Sequence, residues 1–379
     1  MILKNAEIFD GNFDLVHADV RVEKDRIEAV GQGFSGEDEL DLSGCVVSPG
    51  FVDIHIHGRA GADTCDATRG ALSTMASSLI QQGVTSFCPT TMTVSLPEIR
   101  KALAAARDCM ENPPEGAAVI GVNMEGPYIS PHRKGAQSEE FVRRPDAAEF
   151  RSLYDECGGI VRFVDIAPER EGADDFIRET AKYCCVSMAH TEADYDAAKR
   201  SFNLGISHVT HLFNAMNGLN HRAPGAVGAV FDDSSVSAEL ICDGFHIHPA
   251  VLRTAFRLLG EKRTVVVSDS MRAAGLPDGV SELGGQTVYV KDGRARLADG
   301  TIAGSTTNLC DEVKNLVNFG VPLRQVFRSA TINPAREAEM DGEIGSIEPG
   351  KIADLYVFDS NLGLKLVIAK GKVLVDRRK

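Results

Sequence analysis

The chain contains no apolar run near the roughly 18 residues that a membrane-spanning helix needs. Its start lacks the basic-then-apolar pattern of an export leader, so a cytoplasmic protein with no membrane partner is expected. It has no Cys-x-x-Cys spacing, and its nine cysteines are scattered and odd in number. Most therefore read as small buried apolar residues in a reducing compartment, the neighbours Cys184 and Cys185 included. Positive charge is scarce: 40 Lys and Arg face 54 Asp and Glu, for a net charge of −14. That balance argues against nucleic acid and against anionic membrane surfaces as partners. An anionic substrate would need its own local cluster of basic groups. Low-complexity stretches and short-period repeats are also absent.

What remains is the composition of a globular protein, with 43% apolar and 25% charged residues in 379. That length suits two domains, or one large domain with an appendage. The middle of the chain alternates strand and helix patterns. Eight strand candidates lie at 51–57, 85–89, 118–125, 161–167, 185–190, 207–212, 237–242 and 264–269, with helical patterns such as 72–82, 96–109, 176–183, 193–203 and 251–259 between them. Eight such units in about 250 residues predict an α/β fold, a (β/α)₈ TIM-like barrel, over 49–344. Residues 283–297, turning at Asp292-Gly293, predict a β-hairpin inserted after the eighth strand. Both ends of the chain are rich in short strands, and 1–48 with 345–379 predict one small β-sandwich.

The barrel is organised around Pro-Gly-Phe-Val-Asp-Ile-His-Ile-His-Gly at 49–58. Residues i and i+2 of a strand face the same way, so His55 and His57 project side by side. The other predicted strands end in Glu125, His190, His211 and Asp269. In a parallel barrel the chemistry sits at the C-terminal ends of the strands. Four imidazoles and two carboxylates meeting there predict a metal-dependent hydrolase site. Nitrogen and oxygen donors without thiolate suit a divalent metal such as Zn²⁺, Fe²⁺, Mn²⁺ or Co²⁺.

Several longer motifs carry a resemblance: Met-Glu-Gly-Pro-Tyr-Ile (124–129), His-Leu-Phe-Asn-Ala-Met (211–216), Asp-Gly-Phe-His (243–246), Val-Ser-Asp-Ser-Met (267–271) and Ile-Ala-Gly-Ser (302–305). With these the chain resembles the metal-dependent amidohydrolase superfamily and, within it, the N-acetylglucosamine-6-phosphate deacetylases, over essentially its whole length. The resemblance implies that Glu125, His190 and His211 hold the main metal ion. His55 and His57 would hold a second, with Zn²⁺ the first choice and one or two ions per subunit. Asp269 would be general base for the attacking water and then general acid to the leaving amine. An amino-sugar phosphate would be held by Ala136, Asn214, Ala215, Arg222 and His246, with Ile302, Ala303 and Gly304 lining the sugar pocket. Basic groups that come partly from a neighbouring subunit imply a homodimer.

One position departs from the family pattern. Where relatives carry a histidine that polarises the substrate carbonyl, this chain reads Lys134-Gly135-Ala136-Gln137. Gln137 would take that role, or His132 or the second metal ion would. His17, His208, His221 and His248 receive no role. The alternative readings are an N-acetylgalactosamine-6-phosphate deacetylase, a cyclic-amide hydrolase or deaminase on the same barrel, and a non-catalytic relative.

Overall fold

The computed structural model of the protein describes residues 1–378. Eight strands form the central sheet in chain order: Phe51–Ile56, Val84–Thr91, Val122–Tyr128, Val161–Ile166, Cys185–Met188, His208–Val209, Ser237–Leu240 and Thr264–Val266. Every neighbouring pair is parallel. The Asp269 N–H donates to the His55 carbonyl at 2.9 Å, which brings the eighth strand back to the first. Helices Arg69–Ile80, Leu96–Glu111, Ala147–Glu156, Ala173–Thr180, Tyr195–Leu204, Gly225–Asp232 and Pro249–Arg263 connect successive strands. The fold is the expected (β/α)₈ barrel. Its first two strands are buried at every residue, as a sheet covered on both faces requires.

Three local expectations change. The stretch 118–125 divides: Ala118–Val119 pairs with Ser86–Phe87, and the barrel strand begins only at Val122 after Gly121 turns at φ +156°. The stretch 207–212 keeps only His208–Val209 as strand, because His211 turns to φ +31°. The inserted hairpin is a three-stranded sheet, Gly279–Leu283, Gln286–Lys291 and Arg294–Arg296. Its second turn is at Asp292-Gly293, with both residues at positive φ as a two-residue hairpin turn demands. Helices Leu309–Asn318, Leu323–Ala330 and Ile332–Glu337 follow the insert and lie beyond the eight expected strand–helix units.

The chain ends join in one eight-stranded sheet. Cys45–Pro49 pairs antiparallel with Leu355–Asp359, so the stitch between the termini lies directly before the first barrel strand. Alternation along Leu355–Asp359 divides its side chains between two cores. Leu355 and Val357 join an apolar cluster inside the terminal sheet, whereas Tyr356 and Phe358 join the barrel core. Tyr356 meets Phe51, at the start of strand one, with ring centres 4.6 Å apart. All nine cysteines are free thiols. Among the described residues no helix is long and apolar enough to cross a membrane.

Candidate metal centre and substrate pocket

The first barrel strand delivers His55, and His57 follows one residue after its end. Gly58 comes next because a Cβ there would lie 2.4 Å from the Ala62 carbonyl oxygen and 2.8 Å from the Arg272 nitrogen. Glu125 belongs to strand three. His190, His211 and Asp269 come just past strands five, six and eight, at φ 45°, 31° and 45°. Left-handed backbone at a non-glycine residue costs about 1–3 kcal/mol and persists only where the surroundings enforce it. Three such residues at one mouth mark a built site.

Glu125 is the hub. Its Oε1 lies 2.9 Å from Nε2 of His211, 3.0 Å from Nε2 of His190 and 3.8 Å from Nε2 of His55. Its Oε2 lies 3.1 Å from Nε2 of His57. Asp269 Oδ1 is 3.3 Å from Nε2 of His57 and 3.7 Å from Nε2 of His55. Three of the imidazoles are oriented from behind. His55 Nδ1 meets Glu239 at 2.8 Å, His57 Nδ1 meets the Thr90 carbonyl at 3.2 Å, and His190 Nδ1 meets the Arg133 carbonyl at 2.7 Å. With Nδ1 so engaged, each ring turns Nε2 toward the centre.

The electrostatics follow from that packing. Burial alone would raise the Glu125 carboxyl, yet His190, His211 and His57 hold it well below the usual carboxylate range. Burial alone would lower the His57 imidazole, yet Asp269 and Glu125 hold it at about 10. With the Glu125 and Asp269 carboxyls held down and the His55 and His57 imidazoles held up, a cation would displace protons from that pair. A metal ion also fits the loose ends. His55 Nε2 and Asp269 Oδ1 are buried without a hydrogen-bond partner, which native structures rarely tolerate. Two donor sets share Glu125: His55, His57 and Glu125, and Glu125, His190 and His211.

Gln137 is buried beside this hub. Its side-chain nitrogen donates to Glu125 Oε2, and its side-chain oxygen accepts the Thr93 N–H at 2.7 Å. Both ends of the amide are therefore engaged with the protein. A cavity of about 400 Å³ opens above the cluster. His57, Glu125, His190, His211 and Asp269 lie in its wall, together with Ala136, Gln137, Asn214, Ala215, His246, Ile302 and Gly304. His55 is wholly buried, as is Ala303, and neither lines the cavity. Arg222 lies outside it, in the exposed loop 218–223. His246 is fixed by Asp243, whose Oδ2 is 2.7 Å from Nδ1.

Sequence reasoning missed several residues here. Arg133 lines the cavity beside His132, the residue offered from sequence as an alternative polarising group; Arg133 stands near a recognised motif, and only the fold shows that it turns toward the cavity. The inserted sheet contributes Leu283 to the same wall. Glu239 is wholly buried in strand seven against His55. A charged residue inside the apolar run Ser-Ala-Glu-Leu was its one visible signal.

The amidohydrolase family model matches residues 46–374. An N-acetylglucosamine-6-phosphate deacetylase of Bacillus subtilis (strain 168) is 38% identical over 333 residues, 86% of this chain and 84% of that protein. An N-acetylgalactosamine-6-phosphate deacetylase of Escherichia coli O157:H7 is 37% identical over 331 residues, 86% of this chain and 87% of that protein. Among solved structures, a mutant N-acetyl-D-glucosamine-6-phosphate deacetylase from Mycobacterium smegmatis in complex with N-acetyl-D-glucosamine-6-phosphate superimposes with a TM-score of 0.93. It is 32% identical and covers 99% of both chains.

Proposed function

The chain belongs to the amidohydrolase family, and from that premise we propose that it hydrolyses the acetamide of N-acetylglucosamine 6-phosphate to glucosamine 6-phosphate and acetate. The observation that carries this reading is the single Glu125 carboxylate set among four imidazole Nε2 atoms, with Asp269 facing them across the cavity floor. Glu125, His190 and His211 would hold one divalent cation, and His55 and His57, with Glu125, would hold a second. Zn²⁺ is the first choice, and Fe²⁺, Mn²⁺ or Co²⁺ suit the same donors. A cation bound there supplies Lewis acidity toward water and the amide carbonyl.

The chain's own groups do the rest. The Asp269 carboxylate takes the proton of the attacking water and later delivers it to the leaving amine nitrogen, so one carboxylate serves as base and then as acid. Gln137 steadies Glu125 through its side-chain N–H, and polarisation of the carbonyl is what a bound cation would supply. Asp243 holds Nδ1 of His246 and leaves Nε2 for the substrate phosphate, beside Asn214 and Ala215. Arg222 supplies a guanidinium fork suited to phosphate oxygens. Its place on an exposed loop outside its own pocket supports a homodimer in which it serves the neighbouring subunit. Nine free thiols and a phosphorylated substrate support a cytoplasmic setting.

A second reading, preference for the galactosamine epimer, is favoured by the 37% identical relative of that name. The test is acetate release from the gluco and galacto 6-phosphates, from unphosphorylated N-acetylglucosamine and from a hydantoin, each with stripped and with metal-loaded protein. Metal-dependent release from a hexosamine 6-phosphate is expected. Turnover of the cyclic amide alone would overturn the reading.

A further inference from the structure

Behind His55 stands a row of buried ionisable groups that hydrolysis at the mouth does not itself require. Glu239 Oε2 is 2.8 Å from His55 Nδ1 and also accepts the backbone N–H of His211 at 3.1 Å. Glu239 Oε1 is 3.2 Å from His208 Nε2. His208 Nδ1 is 2.9 Å from Glu337 Oε2, and Glu337 Oε1 accepts the Ser237 hydroxyl at 2.8 Å. His55, Glu239 and His208 have no exposed surface. Barrel interiors are ordinarily filled by branched apolar side chains. Replacing a buried ionic set with such residues is often neutral or stabilising, so stability alone does not account for the row.

What the row does is fix geometry. An imidazole whose Nδ1–H is held by a carboxylate offers its Nε2 lone pair on the opposite side. Nε2 of His55 is buried without a hydrogen-bond partner, 3.8 Å from Glu125 and 3.7 Å from Asp269. The same Glu239 oxygen grips the backbone of His211, a member of the other donor set. One carboxylate therefore sets the spacing between the two sets.

We propose that Glu239, locked from behind by His208 and Glu337, is a positioning residue that aims His55 Nε2 and thereby decides whether the His55–His57–Glu125 set retains its cation. This rests on the metal-centre reading above. Losing such an outer partner typically weakens metal binding about 10–100-fold.

The test separates reach from charge. In Glu239→Gln the amide oxygen can stand where Oε2 stands, and the amide nitrogen can donate to His208 Nε2 while His208 keeps its Nδ1–H on Glu337. In Glu239→Asp the charge stays but the carboxylate withdraws by one methylene. Stripped wild type and both variants are titrated with Zn²⁺ alone, cations per chain are counted after dialysis, and thermal unfolding of each stripped protein is recorded as a control. Two cations are expected for wild type, and for Gln with affinities within about threefold. Asp is expected to stay folded at the titration temperature, with a lowered unfolding temperature from the buried donors it leaves unmet, and to weaken the cation of the His55–His57–Glu125 set about 10–100-fold, more than that of the Glu125–His190–His211 set. Wild-type affinity at both positions in the Asp variant, or equal loss in Gln and Asp, overturns the inference. Fewer than two cations in the wild type itself overturns the reading of His55 and His57 as ligands, and the inference with it.

Discussion

The first barrel strand is six residues long, and its two ends are stabilised in opposite ways. At its start Phe51 packs on Tyr356, and Phe327 stacks on Phe358 with ring centres 4.9 Å apart and planes 10° from parallel. Those contacts are apolar and need only volume and shape. At its end His55 and His57 enter a cluster with unpaired buried nitrogen and oxygen atoms and three neighbours in left-handed backbone. That end costs stability, and the other offsets it. A barrel can hold a strained, polar mouth because the start of each strand is anchored elsewhere. The comparison predicts that substitutions at the mouth remove chemistry and leave folding, whereas substitutions at the base do the reverse.

The largest effect is expected at the mouth. Asp269→Asn should lower kcat about 10²–10⁴-fold, the usual worth of a positioned acid–base group. Cations per chain should stay at the wild-type value, because the amide leaves both three-residue donor sets intact. Turnover within about tenfold of wild type would show that Asp269 does not carry the proton.

The converse belongs at the base. Phe358 is 2% exposed and packs on both Phe327 and Tyr356. Phe358→Ala should cost about 3–5 kcal/mol in denaturant unfolding, through lost burial and the cavity left behind. The folded fraction should keep its kcat. A tenfold fall in kcat at conditions where the variant is folded would show that the two ends are coupled.

The same contrast governs what was legible in the sequence. The base and the strands could be read because burial on both faces leaves short runs rich in apolar and β-branched residues, as in Phe51–Ile56 and Thr264–Val266. Helix Gly225–Asp232 could not, since Gly-Ala-Val-Gly-Ala-Val is apolar all round and shows no periodic face. Leu309–Asn318 is amphipathic with an Asn308 cap, so its pattern was available; it falls after the inserted sheet, beyond a count of eight strands. At the mouth the candidate ligands were visible because all but Glu125 stand at or just past a strand end; Glu125 was placed at one by a strand read as 118–125, whereas it lies in the middle of Val122–Tyr128. The turns at His190, His211 and Asp269 were not visible, because positive φ is uncommon even for His and Asp, the non-glycine types in which it is enriched, so residue type alone does not mark it. His208 and Glu239 were hidden for another reason: their partnership joins strands six and seven, and pairing across a sheet is not written in local order.

A smaller effect tests the base for a polar cost of its own. Asp354, at the stitch between the termini, is pushed up to about 6 by burial, although it accepts the Lys370 N–H at 2.7 Å. Its folded value lies above the unfolded value, so the fold favours the protonated form. That contribution is fully present below about pH 4 and is lost as the pH rises through 6. Asp354→Asn keeps the acceptor oxygen and has nothing to ionise. Its stability relative to wild type should therefore improve between pH 4 and pH 7, by at most roughly 3 kcal/mol. Paired urea titrations at those two pH values measure the difference, and a flat difference would mean that Asp354 is ionised without penalty.

The smallest effect is expected at Gln137, where the chain departs from its family. A histidine placed there would be a charged or neutral donor to the substrate carbonyl, and a missing donor of that kind can cost about 10²–10³ in rate. Yet Gln137 is committed at both ends, to Glu125 and to the Thr93 N–H, and the His-x-His pair beside it is intact. If the second cation position already serves the carbonyl, Gln137→His should change kcat by less than about threefold. Its loss of the Thr93 contact should appear instead as about 1–3 kcal/mol of stability, the cost of an unsatisfied buried N–H. The substitution gains a use only when the pair is removed. In a His55→Asn, His57→Asn background it should recover activity that the double variant has lost, with one cation per chain in both. A tenfold rise in kcat from Gln137→His alone would reverse this assignment and make carbonyl polarisation the limiting deficit of the wild-type mouth.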